Sequence, residues 1–263
     1  MKIKRSLGAL ESYLISTLMA NKEIVFTTKK ARAILKTNES STNKLIFGLI
    51  KKKWVERIEK GKYVLLPLEA GPQAEYEVNP LIVAGKLIEP YYVGFWSALN
   101  HYGITEQPAK TVFIASTKQK KMLKFHNTKF RFIKLKEETF FGFKEEWVDN
   151  VKILFSDKEK TIIDCLYLMQ YSGGLSETLK AFKEKIDYKK LTEYALKVND
   201  LGTIKRLGYL LEKLGKKEAK KLKSKVSGGY ACLDSNLPAK GNKNKEWRII
   251  ENADIKDLLE LNK

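Results

Sequence analysis

Ser40 to Leu66 reads SSTNKLIFGLIKKKWVERIEKGKYVLL, a short amphipathic helix running into a small basic hairpin. Leu45, Ile46, Leu49 and Ile50 recur at i, i+1, i+4 and i+5, which places all four on one stripe of a 3.6-residue helix. The same wheel puts Ser40, Lys44, Gly48 and Lys51 on the opposite side, where hydroxyl, ammonium and bare backbone are free to meet a DNA groove. After Lys53 the period falls to two: Val55, Arg57 and Glu59 alternate with Glu56 and Ile58. Gly61 makes a turn, Tyr63 to Leu66 return and Pro67 ends the run.

Working upstream, Leu7, Leu10, Leu14, Ile15 and Leu18 predict a first helix. Thr27 or Thr28 is placed to cap a second, with Ala31, Ile34 and Leu35 on its apolar face, and Thr37 to Glu39 form the polar turn into the third. Three helices and a hairpin in this order predict a winged helix-turn-helix module over residues 1–68. Each part alone has a blander reading, a solvated helix or an ordinary turn; their order is the signal.

The 263 residues carry a formal charge of +19, and residues 1–68 hold 15 Lys and Arg against 5 acids. A surface of that sign attracts polyanions through counterion release, so nucleic acid is the expected partner. A second cluster, Lys216 to Lys225 (KKEAKKLKSK), reads as the same attraction or as plain solubility. No apolar run approaches the ~20 residues that cross a bilayer, and the N-terminal stretch is unlike a secretory signal. Cys165 and Cys232 are too few and too isolated for a disulfide framework. A cytoplasmic protein is expected.

Glu69 to Pro80 (EAGPQAEYEVNP) has no sustained period and reads as a linker. Beyond it LIVAGKLIEPYYVGFWSALNHYG predicts a helix, a break at Pro90 and a second helix capped by Gly103. Residues 111–116, 129–135, 139–143 and 150–156 alternate Phe, Ile and Val with Lys and Arg, as antiparallel strands with one wet face do. Ser156 to Glu159 has the spacing of a capping box, and helices are expected over 175–185, 188–198 and 202–214. The whole predicts an α+β chain: the winged module, a mixed second domain at 81–226 with a small, largely antiparallel sheet and C-terminal helices, and a tail at 227–263 with one more strand in EWRIIE.

For duplex contact the candidates are Ser41, Asn43 and Lys44 at the start of the third helix, reaching bases or phosphates, and Lys51, Arg57, Lys60 and Lys62, gripping backbone along helix and wing. Asn bonds adenine through two atoms, whereas lysine on phosphate adds affinity without sequence information. Thr42 falls near the buried stripe. Gly48 in mid-helix costs ~1 kcal/mol against alanine, so something must approach it closely, DNA or a packed helix.

No catalytic residue, metal site or cofactor is expected. His101 and His126 have no ligand-spaced partners, and no phosphate loop or nucleophile elbow occurs. Two alternatives remain open. A metal-dependent nuclease would need converging carboxylates, for which Asp187-Tyr188-Lys189 and Asp254-Ile255-Lys256 are the nearest triplets. A docking platform would need Tyr91, Tyr92, Phe95 and Trp96 exposed.

Several spaced motifs resemble the AbiEi family, the antitoxin and transcriptional-regulator component of type IV abortive-infection toxin–antitoxin systems. They are Tyr91-Tyr92-Val93, Ser97-Ala98-Leu99-Asn100-His101-Tyr102-Gly103 with Glu106-Gln107-Pro108, Ser156-Asp157-Lys158-Glu159-Lys160-Thr161 with Asp164, Gly173-Gly174, and Lys205-Arg206-Leu207-Gly208-Tyr209 with Leu211. The likeness covers roughly residues 5 to 215. Family members often carry a proline before the Gly-Gly pair where this chain has Met169-Gln170-Tyr171-Ser172. The resemblance implies a cytoplasmic repressor of its own operon that counteracts a nucleotidyltransferase-like toxin without binding it stably. A single such module buries modest surface on DNA, so paired binding to an inverted repeat is expected.

Overall fold

The computed structural model describes residues 6–67, 70, 71, 76, 78–106 and 110–256. The chain divides into two compact units: one runs through Leu87 and takes in Trp147–Lys152, the other comprises Ile88–Glu146 and everything from Ile153 on. Both mix helices with sheet, so the chain is α+β.

The first unit begins with α1 (Ala9–Ala20), β1 (Val25–Thr27), α2 (Thr28–Leu35) and α3 (Glu39–Lys51). The hydroxyl of Thr27 accepts from Lys30 N and starts α2; the side chain of Asn38 accepts from Ser41 N and starts α3. Strands β2 (Val55–Glu59) and β3 (Lys62–Leu65) follow, and the sheet order β1-β3-β2 is antiparallel throughout. Strand β1 escapes a sequence reading because three residues carry no period. The core joins Leu14, Ile15 and Leu18 of α1 to Phe26, Ala31, Leu35, Ile46, Leu49, Trp54, Val55, Tyr63 and Leu65. Thr42 is fully buried with them, as its place on the wheel predicts.

Half of the stretch read as a linker (69, 72–75 and 77) lies outside the described residues. The first unit continues past it into α4 (Pro80–Ala84), begun by Asn79, whose side chain accepts from Leu81 N and also bonds Asp149 at 2.8 Å.

The second unit contains β4 (Tyr92–Val93), α5 (Phe95–His101), β5 (Thr111–Ser116), β6 (Leu123–Phe125), β7 (Thr128–Lys134), β8 (Phe143–Val148) and β9 (Val151–Ser156). The far end of the β8–β9 hairpin counts with the first unit. Among the described residues these strands form a six-stranded sheet, order β6-β7-β5-β4-β9-β8. It is mixed and larger than the small, largely antiparallel sheet expected, because β5 runs parallel to β7 and β4 parallel to β9. Alternation marks a strand but not its neighbour. The stretch 139–143 is not a strand: Glu137–Thr139 is one 3-10 turn, and Phe140 packs inward beside Tyr92.

Helices α6 (Lys158–Tyr167), α7 (Leu175–Lys180), α8 (Tyr188–Val198), α9 (Leu201–Lys213) and α10 (Ala219–Lys223) complete the unit, with short strands β10 (Ala231–Cys232), β11 (Asn242–Asn244) and β12 (Ile249–Glu251). The capping box expected at Ser156 is shifted by one: Asp157 caps α6 through Lys160 N, and Ser156 bonds the hydroxyl of Thr161 instead. Within the stretch read as a tail, Leu233, Trp247, Ile249 and Ile255 belong to the core, and 257–263 lie outside the described residues. Trp247 and Ile249 are buried among Leu207, Leu210 and Leu211 of α9.

Candidate nucleic-acid interface

Helices α2 and α3 and the β2–β3 hairpin enclose a cleft of about 720 Å³. Asn43, Ile46, Phe47 and Ile50 line it from α3, Thr28, Lys29 and Arg32 from α2, and Arg57, Lys60 and Tyr63 from the hairpin. Gly61, with φ +76°, closes the hairpin turn, and its carbonyl accepts from Thr28 N at 3.0 Å, which fixes the turn against the start of α2. Four cations therefore face one acid, Glu39, which pairs with Arg32 at 3.9 Å.

Three of the residues chosen from sequence line this cleft: Asn43, Arg57 and Lys60, all exposed. Arg57 is steadied by its own strand, Nε donating to Glu59 O at 3.3 Å. Ser41 and Lys44 are exposed at the start of α3 but do not line it. Lys51 does not line it either, but its ammonium stands 4.6 Å from the centroid of the Phe47 ring, which does.

Lys62 is turned to another use. Its Nζ donates to Leu87 O at 2.5 Å and pairs with Glu59 at 3.2 Å, holding the chain beyond α4 to the hairpin. Gly48 likewise does not present bare backbone outward. A Cβ there would lie 3.2 Å from Glu11 Oε1, so the close approach at Gly48 is that of α1. Glu11 also accepts from Lys52 Nζ at 2.6 Å and from Gly8 N at 2.8 Å. Burial of Glu11 would raise its pKa; Lys52 and the Gly8 N–H outweigh this and hold it below the ordinary value.

The cleft-facing stripe of α3 is thus Glu39, Asn43, Phe47 and Ile50, about 100° round from the Ser40–Lys44–Gly48 face inferred from apolar spacing. Spacing located the buried stripe but not which flank α1 covers. Lys29, Arg32 and Phe47 were not singled out for the same reason. Their signal was an i, i+3 basic pair after a Thr cap and an aromatic one turn beyond Asn43.

In the second unit, the residues of the spaced motifs knit the framework. The fully buried Lys160 ammonium bonds Asp164 and donates to the Tyr92 hydroxyl at 3.1 Å, while Tyr92 donates to Asp164 at 2.8 Å. Burial raises the Asp164 carboxyl above its usual range, although Lys160 and Tyr92 pull it down. Ser97 Oγ accepts from Phe113 N, Tyr102 donates to Ser156 O, and Arg206 donates to Leu166 O and Cys232 O. The rings of Trp96 and Trp247 lie over Gly173 and Gly208, where a Cβ would collide with them. Gln107 and Pro108 lie outside the described residues.

Tyr91, Tyr92 and Phe95 are buried and Trp96 packs on Gly173, so this aromatic set does not form an exposed docking platform. His101 stacks on Phe155 with centroids 3.9 Å apart, and burial lowers its pKa. Asp187 caps α8, and Asp254 bonds Lys256. Among the described residues no three His, Cys, Asp or Glu stand close enough to hold a metal, and no helix is long and apolar enough to cross a membrane.

No family model matches the chain, and no curated protein matches it in sequence. Among solved structures it is similar to the crystal structure of the Rv2827c protein from Mycobacterium tuberculosis, at 14% identity and a TM-score of 0.67, over 99% of this chain and 97% of that one. That likeness is one of fold across both units.

Proposed function

We propose that this chain is a sequence-specific duplex-DNA-binding repressor whose first unit is a winged helix-turn-helix, α3 entering the major groove and the β2–β3 hairpin acting as the wing. The observation that carries the reading is the cleft between α3 and the hairpin, which Lys29, Arg32, Arg57 and Lys60 line together with Asn43. Cations on two sides of a helix suit the two phosphate strands that border a groove, and an exposed Asn amide suits an adenine edge. Phosphate contacts set position and affinity; Asn43 contributes discrimination.

The likeness of the spaced motifs to AbiEi proteins supports the biological setting: a cytoplasmic antitoxin that represses its own operon and counteracts a nucleotidyltransferase-like toxin without a stable complex. In that setting two copies bind an inverted repeat in the promoter. The second unit has no catalytic part in this reading.

The test is a titration at fixed salt of the full chain against its own upstream DNA and a scrambled duplex, alongside an Arg57→Ala, Lys60→Ala variant. Tight binding to the upstream DNA alone, weakened in the variant, is expected. Equal affinity for both duplexes, unchanged in the variant, overturns the reading. Paired binding is checked by sedimentation, and a single copy on the full repeat would refute it.

A further inference from the structure

Phe47 is 57% exposed while its neighbours Ile46 and Leu49 are 1% and 0% exposed. It lies on the cleft-facing stripe of α3, one turn beyond Asn43, with the Lys51 ammonium over its ring. An aromatic ring 57% exposed among the cations that line the cleft forgoes burial, and an occupant that covers it while matching the cleft offers both an apolar group to the ring and negative charge to Lys29, Arg32, Arg57 and Lys60. An apolar peptide or an acyl chain would desolvate those cations and offer them no counter-charge. Duplex DNA offers both: phosphates on either side, and in the major groove one exposed methyl group, at C5 of thymine.

Geometry fits the same occupant. Residues i and i+4 of a helix lie ~6 Å apart along its axis, and stacked bases repeat at ~3.4 Å, so Phe47 stands about two base steps from whatever Asn43 contacts. We infer that Phe47 reads thymine methyl groups, and that the preferred site carries thymine one or two steps from an adenine held by Asn43. This deepens the repressor reading and rests on it.

The test compares the chain's own upstream duplex with the same duplex made with deoxyuridine, which lacks only the C5 methyl. Scrambled DNA and the variants Phe47→Ala and Phe47→Leu are titrated in parallel at fixed salt. Wild type should lose about four-fold in affinity for each contacted methyl removed. Phe47→Ala should bind both duplexes equally, and Phe47→Leu should keep part of the preference. An exposed side chain is dispensable for folding, and unchanged circular dichroism verifies this for each variant.

Promoter-specific binding that is indifferent to deoxyuridine, or a methyl preference that survives in Phe47→Ala, overturns the assignment and leaves the repressor reading standing. Wild-type binding that does not distinguish upstream from scrambled DNA removes both.

Discussion

Glu11 of α1 and Gly48 of α3 face each other so closely that a methyl group at position 48 would lie 3.2 Å from Glu11 Oε1. The glycine serves helix packing. Gly48→Ala gains ~1 kcal/mol of helix propensity. In the wild type most of this is offset, because Glu11 must shift and loosen its 2.6 Å pair with Lys52. In a Glu11→Ala background the substitution should stabilise by about 1 kcal/mol, giving a coupling of similar size in a urea double-mutant cycle. Additive effects, together with lost DNA affinity in Gly48→Ala, would put the groove at that face instead.

Buried charge in the second unit sets a larger effect. Lys160 is fully buried and bonded to Asp164 and the Tyr92 hydroxyl. Asp164→Asn leaves an ammonium without its counter-charge and should cost about 3–5 kcal/mol. The double substitution Lys160→Met, Asp164→Leu should recover most of the loss, since an apolar pair avoids the desolvation penalty. Chemical denaturation of both variants decides it: a double variant no more stable than Asp164→Asn would show that the charges themselves are required.

What was legible in the sequence follows from what spacing encodes. Helical period gave α1, α2, α3, α8 and α9 within a residue or two, and the Lys60–Gly61 turn marked the β2–β3 hairpin. Of the cleft, Asn43, Arg57 and Lys60 were readable because each is polar beside an apolar stripe. Phe47 was not, since an aromatic among leucines and isoleucines reads as core until the neighbouring helix is seen to lie elsewhere. The parallel pairings of β4 with β9 and of β5 with β7 join distant segments, and local alternation carries nothing about them. The C-terminal segment reads as a tail with one strand because its strands are two or three residues long, although Trp247 anchors it.

Trp247 lies flat on Gly208, leaving no room for a Cβ. Gly208→Ala should therefore destabilise by about 2–3 kcal/mol despite improved helix propensity. Trp247→Ala should cost about 3–5 kcal/mol through the cavity it leaves. In the Trp247→Ala background, Gly208→Ala should become neutral or stabilising; a cost that persists there would place the clash in α9 itself.

Acid sensitivity should be traceable to Glu159. Burial opposes ionisation of its carboxyl, but Lys190 at 2.9 Å and the Asp187 N–H at 3.1 Å outweigh burial and hold its pKa below the ordinary glutamate value. A depressed folded pKa contributes stability that is present above the unfolded value and is lost as pH falls through the folded one. Lys190 is shifted upward by Glu159 and Asp157 against its own burial, so its contribution is present at neutral pH and fades only in strong alkali. Urea midpoints measured from neutral pH down to about pH 3 should fall less steeply in Glu159→Gln than in wild type. Parallel curves would mean that another carboxylate governs acid unfolding.

Lys60 and Lys62 are two residues apart and should fail in different ways. Lys60 is exposed at the hairpin turn and lines the cleft, whereas Lys62 spends its ammonium on Leu87 O and Glu59. An ammonium that releases a counterion on binding contributes ~0.9 to the slope of log affinity against log salt. Lys60→Ala should lower that slope by about one and leave the unfolding midpoint unchanged. Lys62→Ala should leave the slope as it is and cost about 1 kcal/mol of stability, since a part-buried carbonyl loses its donor. Asn43→Ala should keep both slope and stability and narrow the affinity difference between own and scrambled duplex, because an amide on a base edge releases no counterion. A slope change in Lys62→Ala equal to that in Lys60→Ala would mean that the Leu87 contact gives way on DNA and that the whole hairpin is the phosphate grip.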